Sequence, residues 1–157
     1  KLNGTDASDW YTPFNNVRIR LSEEGTLIIH APNVCAEELI TNDIAEINEE
    51  GKFRILGRKD NTINSGGVKI QIEQVESHLK KHLDTPFLIS ARKDAKFGEI
   101  VVLIYNKVEN EDDIRRVCES ELPTYWVPKA YIAVDELPMT GTGKPDRASA
   151  RRIANGE

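Results

Sequence analysis

The first 56 residues alternate apolar and polar positions in the manner of β-strands. Residues 17–21 and 26–30 are rich in β-branched side chains, and the polar turn 22–25, which ends in Gly25, separates them. This pattern predicts a first hairpin. Residues 41–48 and 52–56 repeat the pattern around a turn at Gly51, so we predict a second hairpin there.

The segments around these hairpins carry weaker patterns. Residues 31–40 are predicted to form the loop between the hairpins, and residues 1–16, polar and rich in turn formers, to be loose coil. Two hairpins bury too little apolar surface to be stable alone. We therefore expect residues 1–56 to belong to a larger barrel.

After Asp60 the apolar period changes from two to between three and four. Ile72, Val75, Leu79 and Leu83 follow that spacing, and polar residues, Glu76 among them, fill the positions between. This predicts an amphipathic helix.

The rest of the chain alternates strand and helix patterns. Strands are predicted at 87–91, 100–106 and 130–134, with a charged turn at 92–98, and a second helix at 111–121. Pro145 suits the first turn of a last helix that runs to about Ala154, because its missing N–H is not needed there.

These elements predict an α+β chain. Its C-terminal part, residues 61–157, would be an α/β sandwich of about three main strands and three helices. The β-hairpins of residues 1–56 precede it, and the boundary falls at 57–60.

Composition narrows the class of protein. The 157 residues are 39% hydrophobic and 30% charged, with a formal net charge of -5, which is typical of a globular protein and argues against a non-specific nucleic-acid binder. No apolar run reaches the roughly 20 residues that a membrane-spanning helix needs. The chain starts at Lys1 rather than Met, so we expect it to be a piece of a longer protein.

The cysteines and histidines form no recognisable disulfide or metal-binding motif. Cys35 and Cys118 belong to no paired motif, so we predict two free thiols in a reduced, cytoplasmic setting. His78 and His82 are four apart on the predicted helix, but a third metal ligand is lacking. We predict a solvated helix face and no metal site.

Lys144 follows the glycine-threonine loop Pro138-Met-Thr-Gly-Thr-Gly. A phosphate-binding P-loop is excluded, because Pro138 stands at the position of its first glycine and Pro145 at that of its Ser or Thr. By spacing alone, a single loop lysine is more often a solvated charge than a functional group.

Two further groups of residues stand near the boundary. Thr41-Asn42-Asp43 precedes Gly57-Arg58-Lys59-Asp60, and Ser65-Gly66-Gly67-Val68-Lys69 follows. A double glycine is either a simple turn between strands or a place where the backbone approaches a ligand closely. Arg58 and Asp60 taken alone read as surface charges at a strand end.

Together these motifs resemble the closing segments of the adenylate-forming superfamily, which contains acyl-CoA synthetases, luciferases and peptide-synthetase adenylation domains. The resemblance runs from about Phe14 to Ala154 and is sharpest at 41–43, 57–70, 122–129 and 137–147. One departure is Asn42, where the superfamily usually has glycine. Asn tolerates a left-handed backbone better than most residues.

The resemblance implies a role for each motif. Lys144 would contact the carboxylate and the α-phosphate while an acyl-adenylate forms, and Asp43 and Arg58 would bind the ribose of ATP. Asp60 would be the hinge, within 57–60, about which the C-terminal domain turns between two half-reactions. The loop that then lines the channel for the CoA thiol would consist of Ser65, Gly66, Gly67, Val68 and Lys69.

The implied activity is that of an AMP-forming acid–CoA ligase, with ATP and Mg²⁺, CoA and a carboxylic acid as its substrates. The superfamily's Ser-, Thr- and Gly-rich phosphate loop would lie before Lys1. We therefore expect residues 1–157 alone to be inactive.

Overall similarity favours the o-succinylbenzoate–CoA ligases of menaquinone synthesis. Other aryl or fatty acyl-CoA ligases come next, followed by a peptide-synthetase adenylation domain. Outside enzymes, a small α/β module that binds a partner remains an alternative. The sequence leaves open whether the protein is a homo-oligomer.

Overall fold

A computed structural model describes residues 9–157 and divides the chain into two compact units. The first unit ends at Asp60 and the second runs from Asn61 to Glu157. The first eight residues of the predicted coil lie outside the described residues.

The first unit is a four-stranded antiparallel sheet. Its strands lie in sequence order and are β1 (Arg18–Leu21), β2 (Thr26–His30), β3 (Leu39–Ile47) and β4 (Phe53–Arg58). Each of the two predicted hairpins forms, and pairing of β2 with β3 joins them into one sheet.

This unit is more regular than predicted. β3 begins at Leu39, inside the predicted loop, and β4 continues to Arg58. Tyr11 exchanges two backbone hydrogen bonds with Phe53, of 2.7 and 2.9 Å. The described end of the predicted coil is therefore tied to the sheet at this point.

The second unit has a five-stranded sheet and three helices. The strands are β5 (Thr62–Ser65), β6 (Val68–Gln71), β7 (Phe87–Asp94), β8 (Gly98–Asn106) and β9 (Ala130–Val134). β8 pairs antiparallel with the whole of β7 and parallel with β9, while its first residue, Gly98, pairs with Ser65 of β5. The helices are α1 (Ile72–Leu79), α2 (Glu111–Glu121) and α3 (Arg147–Ala154).

The sheet has a hydrophobic core on each face. Alternation along β8 sends Val101, Leu103 and Tyr105 to the face that packs with α1 and α2, and sends Ile100, Val102 and Ile104 to the face that packs with α3. Burying one such side chain contributes roughly 1.5–3 kcal/mol. The α+β fold predicted from the sequence is confirmed.

The second unit has two more strands than the three main strands that the sequence predicted. β5 and β6 were not predicted, because each has only four residues, which is too few for an alternation of apolar and polar positions to stand out from a loop. β7 and β8 are also longer than predicted. The charged residues Lys93 and Glu99 pair with each other in the ladder, so the connecting turn is only 95–97.

Three details of the predicted helices were wrong. α1 ends at Leu79 rather than near Leu83. Glu76, expected on the polar face of α1, is buried with 4% of its surface exposed. Pro145 precedes the last helix, whose N-cap is Asp146 and whose first residue is Arg147. None of the helices among residues 9–157 is long and apolar enough to cross a membrane.

Candidate functional site

Lys144 lies in a loop that is closed at its base by backbone hydrogen bonds. Met139 and Pro145 form an antiparallel bridge, the N–H of Thr140 donates to the Lys144 carbonyl at 2.7 Å, and the N–H of Asp146 donates to the Pro138 carbonyl at 3.0 Å. Residues 140–144 are exposed. The ammonium of Lys144 is therefore presented at the surface on a short ordered loop.

Threonine hydroxyls and one glycine shape the tip of this loop. The Lys144 N–H donates to Thr140 Oγ1 at 3.2 Å, and the Thr140 and Thr142 hydroxyls are 3.0 Å apart. Gly143 has a φ of +78°, in the left-handed region that favours glycine. The N–H of Gly143 donates to the Thr140 carbonyl at 3.0 Å, which closes the turn.

Helix α3 begins directly after this loop. The Asp146 carboxylate caps it by accepting from the backbone N–H of Ser149 at 3.1 Å and from the Ser149 hydroxyl at 2.7 Å. These hydrogen bonds, the backbone one first, lower the pKa of the Asp146 carboxyl below its ordinary value.

Arg147, the first residue of α3, pairs with Glu76 of α1. Its guanidinium donates to both carboxylate oxygens, at 2.6 and 2.8 Å. Burial opposes the charge of Arg147, but its hydrogen bonds with Glu76 and the charge of that carboxylate raise the pKa of Arg147 above its ordinary value. The pair fixes the start of α3 against α1.

Asp43 and Arg58 are brought together in the first unit. They face each other in the β3–β4 register, and Arg58 donates to Asp43 Oδ1 at 3.2 Å. Thr41 shapes the backbone before Asp43, because its hydroxyl accepts from the Asp43 N–H at 3.2 Å and donates to the Leu27 carbonyl at 2.8 Å. About a third of the Asp43 side chain stays exposed, at 32%, so the carboxylate can accept further hydrogen bonds.

Asp60 lies in a 3-10 turn, Lys59–Asn61, immediately after β4. The residue is exposed, and the division between the two compact units falls between it and Asn61.

Ser65, Gly66, Gly67, Val68 and Lys69 form the turn and flanks of the β5–β6 hairpin. Ser65 pairs with Val68, and the two glycines between them have φ values of +59° and +85°. Positive φ at both central positions is typical of a two-residue hairpin turn. The geometry of the turn itself therefore explains the double glycine.

Phe97 supports the first of these glycines. Its carbonyl accepts from the Gly66 N–H at 2.8 Å. Its ring edge would be 3.3 Å from a Cβ added at Gly66, whereas a Cβ at Gly67 would meet nothing within 4 Å. An added side chain would meet open space at the second glycine and would be crowded at the first, and the positive φ strains most substitutions at both.

Sequence reasoning missed the contacts made by Glu76 and Phe97. Glu76 sits one residue after Val75, where the helical period alone predicts solvent. Arg147 could be singled out from the sequence, because it ends the motif that contains Lys144. Its partner Glu76 could not, because the two residues are 71 positions apart. The described residues contain no group of His, Cys, Asp and Glu side chains placed to hold a metal ion.

Comparison with protein families finds a match to part of the second unit. Residues 74–144 match the family model of the AMP-binding enzyme C-terminal domain. This match begins inside α1, includes the whole of β7 to β9, and ends at Lys144. Residues 74–144 thus match the C-terminal domain of the adenylate-forming superfamily.

Curated relatives include a synthase and a CoA ligase. Gramicidin S synthase 1 of Brevibacillus brevis is 33% identical over 120 residues, which cover 74% of this chain and 11% of that protein. A medium/long-chain-fatty-acid–CoA/3-oxocholest-4-en-26-oate–CoA ligase of Mycolicibacterium smegmatis is 34% identical over 119 residues, which cover 73% of this chain and 22% of the relative. The chain therefore spans less than a quarter of either protein.

Solved structures have a similar fold. An acyl-CoA synthetase (AMP-forming)/AMP-acid ligase II-like protein from Dyadobacter fermentans is 30% identical with a TM-score of 0.55, covering 94% of this chain and 44% of that one. The o-succinylbenzoate CoA synthetase of Bacillus subtilis, in complex with its acyl-adenylate intermediate, has a TM-score of 0.73 at 23% identity, covering 88% of this chain and 34% of that one. The second likeness concerns the fold alone.

Proposed function

We propose that this chain is the C-terminal part of an AMP-forming acid–CoA ligase. Such an enzyme joins a carboxylic acid to AMP with release of pyrophosphate, and then transfers the acyl group to the thiol of CoA. The observation that carries the proposal is Lys144, an exposed ammonium on a closed loop within a domain of this superfamily.

Lys144 suits the first half-reaction. Negative charge increases on the α-phosphate and on the leaving pyrophosphate as the acid attacks ATP, and a positioned ammonium stabilises that charge. ATP enters as its Mg²⁺ complex, and the residues that hold the metal and the triphosphate would lie in the rest of the protein. A cytoplasmic location suits a reaction that consumes ATP and CoA.

Asp43 and Arg58 suit recognition of the nucleotide sugar. A carboxylate can accept from two adjacent ribose hydroxyls at once. The guanidinium that pairs with it at 3.2 Å holds the carboxylate in place.

Asp60 and the β5–β6 turn suit the second half-reaction. A hinge at Asp60 would lie at the end of the first compact unit. A turn of two glycines without side chains leaves room for a narrow pantetheine arm, and Ser65, Val68 and Lys69 flank it.

For the acid, o-succinylbenzoate is the first candidate, on the overall similarity of the sequence to those ligases. Aryl and fatty acids follow, because a fatty-acid–CoA ligase is among the curated relatives. A peptide-synthetase adenylation domain is the second candidate function. It is favoured by the 33% identity to gramicidin S synthase 1, and its acyl acceptor would be a carrier-protein thiol.

The test is ATP-dependent pyrophosphate release by the complete protein that contains this chain. The panel of acids should include o-succinylbenzoate, fatty acids and amino acids, each with and without CoA. We expect release with one class of acid, and acyl-CoA formation when CoA is present. Adenylation of an amino acid without transfer to CoA would favour the peptide-synthetase candidate. If a folded protein that binds ATP releases no pyrophosphate with any acid of the panel, ligase activity is contradicted and the partner-binding alternative is favoured.

A further inference from the structure

Glu76 is a buried carboxylate at a junction of three elements of the second unit. It belongs to α1, accepts from the backbone N–H of Ile89 in β7 at 2.9 Å, and accepts from Arg147 of α3 at 2.6 and 2.8 Å. Arg147 also donates to the Ile89 carbonyl at 3.4 Å. One side chain therefore connects a strand and two helices.

A contribution to stability alone does not explain a buried ion pair such as Glu76–Arg147. Desolvating two charges costs free energy that their attraction only partly returns, and well-packed apolar residues of similar volume often stabilise a protein as well or better. What a bidentate pair adds is geometry, because two parallel hydrogen bonds fix the orientation of the guanidinium. The question is then which part of the molecule needs a fixed orientation.

The element that Arg147 orients is the Lys144 loop. Arg147 is three residues after Lys144, and the hydrogen bonds between Thr140 and Lys144 and between Pro138 and Asp146 make the loop a closed body. Its tip, residues 140–144, is exposed. On the other side, Leu137 packs against the core that α3 covers. The loop is thus held at its two ends, by an apolar contact at one and by the Glu76–Arg147 pair at the other.

We propose that Glu76 is a positioning residue for adenylate formation, which acts on Lys144 through Arg147. This rests on the proposed function of Lys144 in that half-reaction. A loop that shifts by about 1 Å can cost roughly 100-fold in rate. Loss of the pair should therefore slow adenylation much more than it disturbs the fold.

The first measurement is amide hydrogen exchange in the 157-residue chain. Glu76→Gln keeps the size of the side chain but removes the charge that holds Arg147. We expect faster exchange at the hydrogen-bonded amides of Gly143 and Lys144 than in the unsubstituted chain. Glu111→Gln is the matched control, because Glu111 also holds an arginine and a second donor, Arg115 at 2.7 Å and Tyr105 at 2.6 Å, but at α2. It should leave exchange at the loop unchanged.

The second measurement separates the half-reactions in the complete protein. Glu76→Gln should lower ATP–pyrophosphate exchange by about 10- to 100-fold, while thioester formation from a supplied acyl-adenylate stays close to the unsubstituted rate. Arg147→Lys, which keeps the charge but not the paired hydrogen bonds, should give the same pattern more weakly. It also serves if Glu76→Gln fails to fold.

Two results would overturn the positioning role. One is equal loss of the two half-reactions, which is what general destabilisation produces, and the other is unchanged amide exchange at Gly143 and Lys144. Failure of the proposed function looks different. Adenylation would then survive Lys144→Ala, while exchange at the loop would still respond to Glu76→Gln.

Discussion

At the scale of single residues, Asp146 and Arg147 hold the start of α3 in different ways. Asp146 is a solvated N-cap that satisfies the N–H and the hydroxyl of Ser149. Arg147 is half-buried and reaches the interior of the unit through Glu76. The cap depends on a local sequence pattern, whereas the ion pair depends on a contact 71 residues distant.

The cap makes a prediction about pH. The pKa of Asp146 is lower in the folded chain than its ordinary value of 3.8, chiefly through the backbone hydrogen bond from Ser149. Its carboxylate therefore contributes stability above about pH 3.8 and loses that contribution as the pH falls through the folded pKa. Asp146→Asn keeps a capping oxygen but does not titrate.

Thermal unfolding of the 157-residue chain from pH 7 to pH 2 checks this. The unsubstituted chain should lose its advantage in Tm over Asp146→Asn as the pH falls below 3.8. Asp146→Ala should be less stable than Asp146→Asn at every pH, because alanine offers no cap. A difference between the unsubstituted chain and Asp146→Asn that stays constant with pH would contradict a depressed pKa.

At the scale of elements, sequence patterns predicted all three helices and seven of the nine strands that residues 9–157 contain, and missed only β5 and β6. α2 and β9 have the predicted bounds, 111–121 and 130–134. β5 and β6 were missed because each has only four residues. Such short segments become strands through hydrogen bonds to neighbouring strands rather than through a local pattern. The motif at Gly66 and Gly67 was recognised, but only the structure gives its φ values and the crowding by Phe97 at Gly66.

The β5–β6 turn allows its structural and functional roles to be separated. A side chain at Gly67 meets open space, and Asn tolerates its φ of +85° where Ala does not. Gly67→Asn should thus keep the stability of the chain, whereas Gly67→Ala should cost about 1–2 kcal/mol. If the turn lines the thiol channel, Gly67→Asn should slow thioester formation and leave adenylation unchanged.

Denaturant unfolding of the chain checks the predicted stabilities of the two Gly67 variants. Thioester assays of the complete protein check the predicted loss of rate in Gly67→Asn. Unchanged thioester formation in Gly67→Asn would mean that the glycines serve the turn alone. A stability of Gly67→Ala equal to that of the unsubstituted chain would contradict the turn geometry.

At the scale of the whole molecule, the change of apolar period at Asp60 predicted a boundary at 57–60, and the two compact units divide after Asp60. Period two before this point and period three to four after it reflect a sheet in the first unit and a helix-covered sheet in the second. The sequence could not predict that Glu76 is buried, because its partners Ile89 and Arg147 come from other elements. That Asp60 is a hinge stays a prediction.

We predict that Lys144 acts in adenylate formation and that Asp60 permits the change to the second half-reaction. One experiment tests the two together. ATP–pyrophosphate exchange and thioester formation from a supplied acyl-adenylate are measured in the complete protein with Lys144→Ala and with Asp60→Pro. Asp60→Ala is the control for the hinge, because it removes the side chain without fixing φ as proline does.

We predict opposite patterns for the two variants. Lys144→Ala should lower adenylation by roughly 100- to 1000-fold, spare thioester formation and change stability by no more than about 0.5 kcal/mol. Asp60→Pro should impair thioester formation more than adenylation, and Asp60→Ala should impair neither strongly. Adenylation that survives Lys144→Ala, or equal loss of the two half-reactions in Asp60→Pro alone, would contradict the role assigned to the residue concerned.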